Sequence, residues 1–144
     1  SSLWIGKIHL GWAGDEGLVK ITKNNNRMFI VEKVQLLHDG FEIKFNQKLT
    51  TAPTNIDITR HTYHYHAAYG SPKVDLQKVT PSNIKLNANG KSIKVSIDNL
   101  VVGQLYTITL GDLLDAHGRP LMGNVLRYNL NNLAPKKLFK RRKF

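Results

Sequence analysis

From Phe29 onward, apolar and polar residues alternate with the two-residue period of β-strands, and turn-forming residues interrupt them at short intervals. The clearest run is FEIKF: Phe41, Ile43 and Phe45 point one way, Glu42 and Lys44 the other, as in a half-buried strand. It follows His38-Asp39-Gly40, a turn in which glycine accepts a positive φ without steric cost. Before that turn, Phe29, Val31, Lys33 and Gln35 alternate against Ile30, Glu32, Val34 and Leu36; the strand is plain but its inward face is ambiguous. After the loop NQKLTTAPTN, the run IDITRHTYHYH is again rich in β-formers, and Tyr69 to Asp75 reads as a loop. VTPSNIKLNANGKSIKVSID reads as a hairpin turning at Asn89-Gly90, with Ile93, Val95 and Ile97 inward and Lys94 and Ser96 outward. LYTITL is the next strand, and Leu126 to Leu130 the last, with the loop LLDAHGRPL between them.

About seven short strands and no amphipathic helix predict an all-β chain, an antiparallel β-sandwich of immunoglobulin or fibronectin type over residues 29–134. NLVVGQLYTITL adds a local sign: Leu100, Gly103 and Tyr106 stand in the order of a tyrosine corner, where a tyrosine near a strand start bonds back to the preceding loop. Residues 1–28 do not fit that unit. They read as two short strands around a Gly-rich loop, followed by an Asn-Asn-Asn linker. Such a pair is marginal alone, so it is expected to come from another domain and to pack on the sandwich edge.

Composition narrows the chemistry. The 144 residues include no cysteine, which removes disulfides, thiolate nucleophiles, Fe–S clusters and thiolate zinc sites. No apolar stretch approaches the ~20 residues of a membrane span. SSLWIG lacks a basic region followed by an apolar one, so the expectation is a removed signal or a piece of a longer chain. The net charge is +11, but the last nine residues, KKLFKRRKF, hold six of the 21 basic groups; the remainder, 15 basic against 10 acidic, is only +5. Residues 135–144 therefore form a basic tail. Lys136, Lys137, Lys140, Arg141, Arg142 and Lys143 are candidates for salt-sensitive contact with a polyanion or acidic surface, at roughly 1 kcal/mol each, against a plainly solvated terminus. Nothing points to specific nucleic-acid recognition.

The segment HTYHYHAAYGSP, residues 61–72, is the densest cluster of chemistry-bearing side chains. On a strand His64 and His66 share a face and His61 takes the other. A metal-dependent enzyme built on the His61–His66 cluster needs three or four converging ligands, the remainder drawn from Asp57, Asp75 or His117. The structural reading, favoured here, is that Tyr63, Tyr65 and Tyr69 bury ring surface or contact a partner while the histidines hydrogen-bond or face solvent. Ser71 precedes Pro72 without a nucleophile-elbow pattern. Asp112 and Asp115 lack the spacing of a calcium loop, and His117 reads as a turn residue. Trp4 and Trp12 read as packing residues rather than a sugar platform.

GWAGDEGLVKI, DGFEIKF, TYHYHAAYGSPKVD, LLDAHGRPL and YNLNNLAP occur in this order, and together they resemble the C-terminal part of bacterial secreted proteins of the glucose/sorbosone dehydrogenase kind. The resemblance covers Leu3 to Pro135. It implies that residues 3–23 end the last blade of a β-propeller and that 29–134 form an immunoglobulin-like domain behind it. Lys73 stands where those proteins tend to carry an acid, and no Cys-x-x-Cys-His haem signature is present. Their chemistry belongs to the propeller and its quinone, so no catalytic residue transfers. The expectation is a non-catalytic, cofactor-free accessory domain, secreted or periplasmic, that braces the propeller domain of its own polypeptide or contacts protein or carbohydrate.

Overall fold

The computed structural model describes residues 2–7, 17–23, 28–66 and 70–136. Its strands are β1 (Ser2–Lys7), β2 (Gly17–Thr22), β3 (Phe29–Leu37), β4 (Gly40–Phe45), β5 (Ile56–Tyr63) and β6 (Lys73–Val79). They continue with β7 (Asn83–Leu86), β8 (Ser92–Ser96), β9 (Gln104–Leu110), β10 (Leu121–Met122) and β11 (Val125–Leu130). Among the described residues there is no helix. One sheet runs β10-β3-β4-β8-β7 and the other β11-β9-β5-β6.

The two sheets face each other as a β-sandwich, and the alternation explains why. Phe41, Ile43 and Phe45 of β4, with Ile93 and Val95 of β8, project from one sheet into the core. Ile56 and Ile58 of β5, Tyr106, Ile108 and Leu110 of β9, and Leu130 meet them from the other. Ring edges cross the gap: Phe41 lies 5.6 Å from Tyr106 and 5.2 Å from Tyr128. Burying one such aliphatic or aromatic side chain stabilises the fold by roughly 1.5–3 kcal/mol, so this layer carries most of the driving force.

The ambiguous face of β3 has a structural cause. Its pairing with β4 shifts register between Val31 and Lys33, and this bulge moves the inward parity from Phe29 and Val31 to Val34 and Leu36. Two strands escaped the pattern. β6 begins at Lys73, inside the expected loop, and is an edge strand whose register breaks opposite Arg60–Thr62, with Asp75 at φ 56°. β10 is a two-residue strand that pairs in parallel with β3, through Leu121 with Phe29 and Met122 with Ile30, so the sandwich is not wholly antiparallel.

The expected corner is present: the Tyr106 hydroxyl accepts the Val101 N–H at 2.8 Å. The chain enters β3 beside Asn46, whose side-chain amide donates to the Met28 carbonyl and whose Oδ1 accepts the Ile30 N–H. It leaves through residues 133–136, which lie against His38 and Asp39 at the far end of β3.

β1 and β2 form their own antiparallel hairpin, with Trp4 opposite Lys20 and Ile5 opposite Val19. Contrary to expectation it is not buried against the sandwich edge: every residue of both its strands is exposed. Leu3, Ile5, Val19 and Ile21 share one of its faces, and all four are exposed.

Candidate functional site

The His/Tyr segment continues the β5–β6 ribbon beyond its last named pair, because the His64 N–H donates to the Pro72 carbonyl at 3.0 Å. Its rings fall into two pairs. His61 and Tyr63 lie on the outer face of the four-stranded sheet, centroids 5.1 Å apart and nearly perpendicular at 83°. His64 and His66 form the second pair, centroids 5.9 Å apart and tilted by 37°. Tyr65 is 93% exposed and Tyr63 47%. Tyr69 lies outside the described residues.

His61 differs from its neighbours. It pairs with Leu105 across the ladder and is only 2% exposed, and among the described residues neither ring nitrogen has a hydrogen-bond partner. Burial lowers its pKa below the ordinary 6.5, and the positive charge of Lys73 lowers it further, so the ring is held neutral. An uncharged, unpartnered imidazole under a tyrosine edge packs as a poor phenylalanine. It is not placed to accept a substrate proton.

The further ligands that a metal-dependent enzyme would need do not join the cluster. Asp57 is exposed and pairs with Lys78 at 3.5 Å, and Asp75 is exposed at the β6 bulge. His117 sits on a separate turn, 3.9 Å from Asp115. Among the described residues no three histidine or acidic side chains come together. Of the tail, Lys136 is exposed, while Lys137, Lys140, Arg141, Arg142 and Lys143 lie outside the described residues, as does Trp12.

Two polar arrangements were not recognised in the sequence. In DAHGR the buried Asp115 accepts the backbone N–H groups of His117 and Arg119 through Oδ1, while Oδ2 binds the Arg119 guanidinium at 2.6–2.7 Å. Burial acts to raise this carboxyl, but the arginine and the two N–H donors outweigh it and hold it at about 2. The signal was an aspartate two and four residues before the amides it caps, a common turn device. This site is structural, since every donor is internal.

The second is a groove of about 660 Å³ between the β3–β4 turn and the departing chain, lined by Leu36, Leu37, His38, Asp39, Pro135 and Lys136 among others. At its rim Lys94 donates to Asp39 at 2.6 Å, and this bond holds the carboxyl below its usual range against the opposing effect of burial. Its lining comes from segments far apart in sequence, so no local motif announces it.

No protein-family model and no curated protein matches the chain. Among solved structures, the chain is similar to parts of a bacterial S-layer protein. It superposes on rSbsC(31-844) with a TM-score of 0.54 at 22% identity, over 76% of this chain and 14% of that one. On the N-terminal part of SbsC the TM-score is 0.53 at 21% identity, over 73% of this chain and 24% of the other. At that identity the likeness is one of fold. The chain spans less than a quarter of the length of either structure.

Proposed function

We propose that the chain is a non-catalytic β-sandwich accessory domain of a larger exported bacterial polypeptide, seated against a neighbouring β-rich domain through the β1–β2 hairpin. One observation carries the reading. The hairpin presents Leu3, Ile5, Val19 and Ile21 on a single face, all four of them exposed, and a two-stranded ribbon is marginal by itself. Removing such a face from water is worth roughly 1 kcal/mol or more per side chain, which supports a neighbour that covers it.

Size favours a covalently linked neighbour over a second copy. Each hairpin strand has six residues, so one face offers about six side chains. Stable interfaces between separate proteins use some 20–30 residues a side. A linked domain needs far less, because tethering replaces bimolecular association with a high effective concentration. The resemblance to sugar-dehydrogenase-like proteins suggests a β-propeller as that neighbour, with the hairpin ending its last blade. The S-layer structures, in which this fold occupies a small share of a long chain, support the setting of an extracellular multidomain protein.

Hydrogen exchange tests this. In the 144-residue chain the amides of residues 2–7 and 17–22 exchange rapidly while those of β3–β4 are protected; in the longer polypeptide the hairpin amides become protected as well. The reading fails if the hairpin is as protected alone as the sandwich strands, or if it stays unprotected beside its neighbour.

A further inference from the structure

His64 and His66 are set out from the fold in a way that His61 is not. His64 is exposed and His66 half-exposed, and the bond from the His64 N–H to the Pro72 carbonyl ties their stem to the β5–β6 ribbon. Among the described residues no hydrogen bond or ion pair occupies either ring, so each imidazole has a nitrogen lone pair to offer a ligand. Two nitrogens bound to one ion at ~2.1 Å each lie at most ~4.2 Å apart. Ring centroids 5.9 Å apart and tilted by 37° set the two imidazoles side by side, close enough for one nitrogen of each to approach the same ion.

We propose that His64 and His66 together chelate a late first-row divalent ion, copper(II) before nickel or zinc, at the exposed end of this ribbon. Imidazole suits all three metals, and copper stands highest in the order of divalent affinities. The protein supplies two donors here, since no third acid or histidine joins them among the described residues, and the remaining coordination positions stay open to solvent or to a donor from another molecule. Such a site is a binding site rather than a hydrolytic centre. It is independent of the hairpin and of the domain that covers it.

The test is calorimetric titration of the intact chain with copper(II) chloride, paired with electron paramagnetic resonance. One equivalent should bind saturably, with hyperfine coupling from two imidazole nitrogens. His64→Ala and His66→Ala should each abolish that two-nitrogen signal. A doubly substituted His38→Ala/His117→Ala chain should retain it, and zinc should bind the same site more weakly. Unchanged melting of every variant in chelator shows that the fold persists. Absence of saturable copper binding by the unsubstituted chain overturns the proposal. So does a two-nitrogen signal that survives in the His64→Ala/His66→Ala chain.

Discussion

Replacing His61 by phenylalanine should make the protein more stable and remove part of its sensitivity to acid. The imidazole is 2% exposed with both nitrogens unpartnered, and a buried polar group in that state costs about 1–3 kcal/mol. Phenylalanine keeps the edge-to-face contact with Tyr63 and carries no orphan polar atom, at the expense of a slightly larger ring. A net gain of about 1–2 kcal/mol follows, or roughly 4–10 °C in Tm for a sandwich of this size. The pH dependence gives a sharper test. Burial and Lys73 depress the folded-state pKa below 6.5, so as pH falls past 6.5 the unfolded chain takes up a proton that the folded chain refuses. The contribution of His61 to stability is therefore fully present above 6.5. It declines below that value by up to ~1.4 kcal/mol per pH unit, until the folded-state pKa is reached. Urea denaturation of both proteins from about pH 8 to about pH 5 isolates this effect, because the two chains differ only at position 61. The difference in stability should widen as pH falls. Curves that run parallel, or a phenylalanine variant less stable than the original at neutral pH, would show that the ring is solvated or partnered.

Tyr106→Phe deletes the acceptor of the Val101 N–H while leaving the ring against Phe41; about 1–3 kcal/mol should be lost in urea denaturation, and a change below about 0.5 kcal/mol would remove the corner from the account. Gly40→Ala places a methyl 1.9 Å from the Val95 carbonyl oxygen at a backbone φ of +145°, so the β4–β8 ladder must part. The expected loss exceeds about 3 kcal/mol, read as a reduced urea midpoint or as failure to fold by circular dichroism.

Where a strand buries one face with unbroken alternation, the sequence was enough. Phe41-Ile43-Phe45, Ile93-Val95-Ile97 and the Leu100-Gly103-Tyr106 corner all lie as their spacing predicts. Legibility ended wherever the period was interrupted. The bulge between Val31 and Lys33 inserts one residue and reverses the apparent face of β3. Asp75 does the same to β6, whose edge position leaves no apolar row to betray it. β10 consists of two residues whose pairing depends on the whole topology. The histidines show the same limit at the level of a site. Parity separated His61 from His64 and His66, but its burial depends on what packs over the outer face, which no local pattern encodes. Asp115 was visible only as an acid near another acid, since its partners are the backbone amides of its own turn.

The chain joins β3 next to Asn46 and departs beside His38 and Asp39, at opposite ends of that strand. A pull between the flanking segments therefore runs along the strands, and the ladder bonds, which lie across them, are sheared together rather than unzipped one by one. Tension is shared among many bonds at once. The same route sets a length: nine residues of β3 at ~3.3 Å each carry the polypeptide about 30 Å forward between its two flanking segments.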